Sequence, residues 1–463
     1  MTDFGFQARL KYPPELDPGF RPIVMDNREY QKAVGRSGNA AAVKIAVERS
    51  GGLVSTVETQ VFRDGHRQDN ILYVDRLVKT LLWVKGGWKV IYAGPEDIGG
   101  YLQRAYAPGG ARAFDAGFMG KIYDQPFRVE VTSLDRVPGT KDDPKPLGRN
   151  LDGCRIGFDA GGSDRKVSAV IDGEAVYSEE VVWHPKLQSD PEYHYQGIME
   201  SMKTAAAKMP RVDAIGVSAA GVYIDNEVRA ASLFIKVGPE DFEKKVKNIF
   251  IDIARTFGVP IEVANDGDVS ALAGAMSLET DRVLGIAMGT SEAAGYVDAQ
   301  GNITGWLNEL AFVPIDYNPG AMEDEWSGDT GCGVTYFSQD GVIKLAGYAG
   351  FSLPDASPAE KLKIVQKAAG DGDETALQIF TDIGCYLGHT LPFYHDLYGM
   401  ESVLLLGRVM SGVGGEQILS MAKRVLNEEY LALSIGLLLP DDTFRRVGQS
   451  MAAASLPRVK GCV

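Results

Sequence analysis

The sequence predicts an α/β fold of two lobes preceded by an additional α+β N-terminal domain, and three features predict it. Residues 261–275 (IEVANDGDVSALAGA) read as a short strand that ends in polar residues and leads into a helix of small apolar residues. Residues 155–171 and 282–298 each read as strand, small-residue turn, strand. At 463 residues the chain is also too long for one hydrophobic core, so two or three domains are expected.

Composition narrows the function. With 45% hydrophobic and 24% charged residues the chain reads as an ordinary soluble globular protein. Its net charge of -15 argues against a general nucleic-acid binder, which needs a basic face, but leaves room for a local basic pocket for a small anion. The start, MTDFGFQARL, lacks the basic-then-apolar order of a signal peptide, and no apolar run is long enough to span a bilayer. Cys154, Cys332, Cys385 and Cys462 are scattered without a CxxC pair, as expected of reduced thiols in a cytoplasmic protein. His389 and His395, six apart, fall on different faces of a helix and do not pair for a metal.

Taken in order, residues 1–40 are rich in Pro, Gly and charge and are expected as an extended arm. Residues 42–61 alternate β-branched positions around Ser50-Gly51-Gly52, a hairpin. Residues 70–83 have helical spacing, 88–93 form a strand, and Pro95 opens another helix. Residues 110–134 are expected to be partly β, closing an accessory domain at 41–134, and 135–150 read as a linker. From 151, a strand ends at Asp159 and turns through Gly161, Gly162 and Ser163 into a second strand. A helix at 190–209, a strand at 212–217 ending at Ser218 and a helix at 242–257 complete a first lobe, 151–264. A second lobe is expected at 265–463. Its helix is expected to start near Val269 with Asp268 as N-cap. The strand at 282–287 breaks at Gly289-Thr290-Ser291, helices follow at 357–369 and 373–397, and the strand at 401–406 ends in Gly407-Arg408 before a helix at 416–426.

These junctions suggest a chemistry. Paired glycines between strands let a backbone approach a phosphate, and a carboxylate at a strand end, Asp159, can hold magnesium through water; a plain Gly-Gly hairpin reads equally well. Asp266, at the carboxyl end of a sheet strand, can take a proton from a substrate hydroxyl, while Asn265 and Asp266 also suit a turn and cap.

The order of these pieces resembles the ROK family, a sugar-kinase branch of the actin-like ATPase and sugar kinase (ribonuclease H-like) superfamily. Asp159-Ala160-Gly161-Gly162-Ser163-Asp164 is similar to its Asp-x-Gly-Gly-Thr-Lys loop, and Asn265-Asp266-Gly267-Asp268 to its Asn-Asp-Ala-Asn motif. Gly289-Thr290-Ser291 resembles the second phosphate loop, Asn308-Glu309-Leu310-Ala311-Phe312 the Gly-Glu-x-Gly-His segment, and Leu406 to Ser411 the adenosine turn. The resemblance implies an ATP-dependent kinase for a hydroxyl of a hexose or related polyol. Asp266 would be the general base; Asn265, Glu309 and Ser218 would bind the sugar. Asp159, Gly161, Gly162, Ser163, Gly289, Thr290, Ser291, Gly407 and Arg408 would hold ATP, with Asp159 on Mg2+. A homodimer is compatible with this reading. The departures are Asp164 for the loop lysine, Phe312 for the histidine of the zinc group, Cys332 as its one remaining cysteine, and Val334 for a sugar-binding glutamate, so structural zinc is not expected. The alternatives are a non-catalytic sensor of sugar or nucleotide and an ATPase acting on a protein partner. Residues 42–94 repeat the hairpin–helix–strand order of 155–221, which suggests a degenerate copy of the superfamily half-domain; an unrelated α+β domain is the other reading.

Overall fold

In the computed structural model, residues 3–142, 146–440 and 448–459 are described; Cys462 lies outside them. The front of the chain is extended, as its prolines require, and is tied down by acids of the second lobe: the Glu15 and Leu16 N–H groups donate to Asp382 at 3.0 and 2.6 Å. The expected arm does not continue to residue 40. Pro22 caps a helix, α1 (Ile23–Arg36), whose Ile23, Tyr30 and Val34 are buried. A Pro-rich approach had masked this apolar stripe.

β1 (Ala40–Glu48) and β2 (Val54–Phe62) form the expected hairpin through Ser50-Gly51-Gly52. α2 (Arg67–Lys85), β3 (Lys89–Ala93), α3 (Glu96–Ala105), α4 (Ala113–Ile122) and β4 (Arg128–Val131) follow, giving a sheet of order β2-β1-β3-β4. The span 110–134 holds α4 and, as its only strand, β4.

The first lobe contains β5 (Cys154–Ala160), β6 (Asp164–Ile171), β7 (Glu174–Val182), α5 (Pro191–Ala206), β8 (Ala214–Ala219), the hairpin β9 (Val222–Ile224) and β10 (Glu227–Ala230), a single turn α6 (Pro239–Asp241), α7 (Ile249–Phe257) and β11 (Ile261–Asn265). Its sheet order is β11-β8-β5-β6-β7. Every residue of β5 and β8 is buried, as expected of parallel strands covered on both faces. The half-domain comparison fails on strand direction: β1 and β3 are antiparallel, whereas their counterparts β5 and β8 are parallel.

The second lobe is built on α8 (Asp266–Ser277), β12 (Val283–Met288), β13 (Glu292–Val297), α9 (Gln339–Tyr348), α10 (Pro358–Gly370), α11 (Glu374–Tyr398), β14 (Ser402–Leu406), α12 (Gly412–Glu429) and β15 (Gly436–Leu438), with sheet order β13-β12-β14-β15. The chain then returns to the first lobe, so that lobe is not confined to residues before 265. α13 (Gln449–Ala454) lies on the face of the five-stranded sheet. Gly157 and Gly216, neighbours in register, allow this contact: a Cβ on them would sit 1.8 Å from Ser450 O and 1.7 Å from Ala453 O.

One carboxylate of the second lobe gathers three cations of the N-terminal region. Arg76, Lys79 and Arg112 each place a nitrogen 2.6 Å from Asp329 Oδ2. Burial alone would raise the Asp329 carboxyl, but the three cations hold it far below the usual range. Asp329→Ala would leave three buried cations without their shared partner. It is expected to destabilise the protein by about 3–5 kcal/mol in denaturant titration, with a cost near zero showing that the cluster contributes little.

Candidate active site

The site is assembled at one edge of the five-stranded sheet. Parallel pairing places Asp159 opposite Ser218 and Asn265 opposite Ala219, so β5, β8 and β11 end side by side. The helix after β11 starts three residues earlier than expected. Asn265, not Asp268, is the N-cap: its Oδ1 accepts from the Gly267 N–H at 2.7 Å and its Nδ2 donates to Gly221 O at 2.7 Å. Asp266 is therefore the first residue of α8, and Asp268 lies inside the helix. Gly267 and Gly295 let this first turn press on β13; a Cβ on Gly295 would lie 2.3 Å from Asp268 N.

Asp159 is buried, and its Oδ1 accepts from Ser218 Oγ at 2.8 Å. Burial raises its carboxyl to about 6; the Ser218 hydrogen bond opposes the rise and the neighbouring Asp266 charge adds to it. Asp159 near the end of β5 and Asp266 just after β11 lie at the same carboxyl end of the sheet. Burial also raises Asp266, while the Gly267 N–H and, through space, Lys186 lower it. Gln449, for which the sequence offered no motif, bridges the two: its Nε2 donates to Ser218 Oγ at 3.0 Å and to Asp266 O at 3.3 Å. The Ser218 hydroxyl, expected to bind substrate, donates to Asp159 and accepts from Gln449.

Glu309 faces Asp266 and Asp268, and burial followed by those two charges raises its carboxyl to about 7. Its backbone N–H donates to Trp83 O at 3.0 Å, so α2 of the N-terminal region holds this segment. Phe312 stacks on Trp83 with ring centroids 4.2 Å apart, and Lys79 Nζ lies 3.7 Å from Cys332 Sγ. Beside Asn265 and Asp268 opens a cavity of about 420 Å³, walled on its far side by Arg49, Ser50 and Tyr123.

The first loop is exposed at Gly162 and Ser163. On the second sheet, Ala287 pairs with Leu406, so the loops holding Gly289, Thr290 and Ser291 and holding Gly407 and Arg408 emerge together; a Cβ on Gly407 would lie 2.3 Å from Met288 O. α8, packed on β12 and β13, links this group to Asp266. For magnesium the fit is that of a hard carboxylate, Asp159, beside a second one; among the described residues no cluster of three or more ligating side chains occurs, and magnesium commonly needs only one or two beside phosphate.

The sequence model of the ROK family matches residues 155–434. This chain belongs to the ROK family. Among solved structures, a ROK hexokinase from Thermus thermophilus is similar at 18% identity over 65% of this chain and 97% of that one, with a TM-score of 0.51. A ROK glucokinase from Streptomyces griseus, solved with glucose and AMPPNP, matches at 20% identity over 65% and 98%, with a TM-score of 0.48. A ROK transcriptional regulator, a homologue of the E. coli MLC protein, matches at 20% identity over 66% and 79%, with a TM-score of 0.47. No curated protein matches the chain by sequence. The fold is the two-lobed actin-like ATPase and sugar kinase fold of ROK proteins, with the N-terminal region extra to the ROK domain. No helix among the described residues is long and apolar enough to cross a membrane.

Asp268 gives a test of the buried acids. Its Oδ1 accepts from Asn308 Nδ2 at 2.8 Å and Tyr296 N at 3.2 Å, and burial raises the carboxyl to about 7. An asparagine oxygen can accept both bonds without the buried charge. Because the folded value exceeds the unfolded one, the cost of ionisation is fully present above about pH 7 and vanishes below about pH 4. Asp268→Asn is therefore expected to stabilise the protein by on the order of 2 kcal/mol at pH 8, with the gain declining as pH falls from 7 to 4 in thermal melts. A gain that does not depend on pH would show that ionisation is not its source.

Proposed function

We propose that the protein is an ATP-dependent kinase that phosphorylates a hydroxyl of a hexose or related polyol. The observation that supports this most directly is the shared placement of Asp266 and Asp159 at the carboxyl edge of the sheet in a ROK chain. The acceptor occupies the cavity beside Asn265 and Asp268. Glu309, whose carboxyl makes no hydrogen bond among the described residues, feels the Asp266 and Asp268 charges. Asn265 offers the acceptor the amide hydrogen not donated to Gly221 O.

In this reading the acceptor oxygen attacks the γ-phosphorus of ATP. The bond from phosphorus to the bridging oxygen breaks, ADP leaves with the electron pair, and the hydroxyl proton passes to the Asp266 carboxylate. Burial suits Asp266 to the role, since it makes the carboxylate a stronger base. Asp159, fixed by Ser218, would hold magnesium through water; the ion supplies neutralisation of phosphate charge. Backbone N–H groups of Gly161, Gly162 and Ser163 and of Thr290 and Ser291 receive phosphate oxygens, Gly289 shapes the second loop through its N–H bond to Ser291 O, and Gly407 and Arg408 border the adenosine.

The test is a coupled assay with Mg·ATP across a panel of sugars. Asp266→Asn is expected to keep the wild-type melting temperature and lose about 10³-fold in kcat. Retained turnover would remove Asp266 from its role, and sugar binding by the wild type without turnover would assign the chain to sensing.

A further inference from the structure

The first phosphate loop is poor in free positive charge. Asp159, Asp164 and Asp266 surround it. Of its cations, Arg165 pairs with Glu200 at 3.0 Å, and Lys166 lies 3.7 Å from Asp164 and 3.8 Å from Glu180. A phosphoryl group in transfer needs a cation aimed at it, since catalysis of this reaction is largely positioning and charge stabilisation.

One lysine from outside the loop answers that need. Lys186 lies on the short turn Pro185–Leu187, and a Cβ on Gly162 would meet its Cε at 3.1 Å and its Nζ at 3.3 Å. The side chain therefore runs directly over the loop backbone. It makes no ion pair among the described residues. Its turn is clamped to the loop: the Trp183 backbone N–H donates to Ser163 O at 3.1 Å and Trp183 Nε1 donates to Gly161 O at 2.8 Å. The turn is braced from behind by buried His194, whose Nε2 lies 3.1 Å from Pro185 O. Its charge also reaches Asp266. Loop, base and ammonium thus form one constellation, and the lysine comes from an element that carries no motif.

We propose that Lys186 is a catalytic residue whose ammonium, carried over the Gly161–Gly162 turn, contacts the terminal phosphates of bound ATP and the phosphoryl group as it passes to the acceptor. This rests on the kinase reading above. The lysine takes no part in bond making; it neutralises the charge that develops on the non-bridging oxygens as the bond to ADP breaks.

The test needs no acceptor. Calorimetry with Mg·ATP and with adenosine is run on the wild type, Lys186→Met and Lys186→Arg, all of which are expected to melt alike because Lys186 is exposed. Lys186→Met is expected to weaken Mg·ATP about 10- to 100-fold and leave adenosine unchanged, with Lys186→Arg recovering most of the loss. If the wild type does not bind Mg·ATP, the kinase reading falls and this inference with it. If the wild type binds and Lys186→Met binds equally well, or loses adenosine in the same proportion, the assignment of Lys186 is overturned while the kinase reading stands.

Discussion

The site depends on the register of three parallel strands. Pairing of β5 with β8 and of β8 with β11 fixes which residues leave the sheet together: Asp159 beside Ser218, and Asn265 beside Ala219. A slip of one residue would turn Asp159 to the other face of the sheet and Ser218 away from it. α13 reinforces the pairing from above, because Gly157 and Gly216 leave space for its backbone, and in doing so it delivers Gln449 to Ser218 and Asp266.

The N-terminal region is structural support for this site as well as an addition to it. The carbonyls of Trp83 and Val84 accept from the N–H groups of Glu309 and Asn308, so the C-terminal end of α2 takes up the backbone of the segment that carries Glu309. The same helix contributes Arg76 and Lys79 to Asp329 and places Lys79 beside Cys332. Charge, aromatic stacking and backbone pairing act together on one short stretch of the second lobe. Burying these ion pairs carries a desolvation cost, which the three-to-one arrangement of cations around Asp329 opposes.

Buried acids dominate the electrostatics of the cleft. Asp159, Asp268 and Glu309 are all raised by burial and by the Asp266 charge, and Glu292, buried with neither carboxyl oxygen hydrogen-bonded, is raised well above its ordinary value by burial and by Glu309. Such a site favours groups that bring positive charge or donate protons: magnesium, sugar hydroxyls and a lysine. The overall charge of -15 expresses the same bias at the scale of the chain.

Local chemistry determined much of this protein. The hairpin at Ser50-Gly51-Gly52, the strand ending at Asp159, the Asn265-Asp266 junction and the helices of the second lobe were legible because turn residues, apolar periodicity and caps act over a few neighbouring residues. The sequence missed α1, hidden behind proline, and misplaced the start of α8, because Asn265, Asp266 and Asp268 are all competent caps and only the contact of Gly267 with β13 selects among them. It could not decide the direction of β3 against β1, the return of α13, or the positions of Gln449 and Lys186. Those follow from packing between segments far apart in the chain, whose contacts leave no local pattern to read.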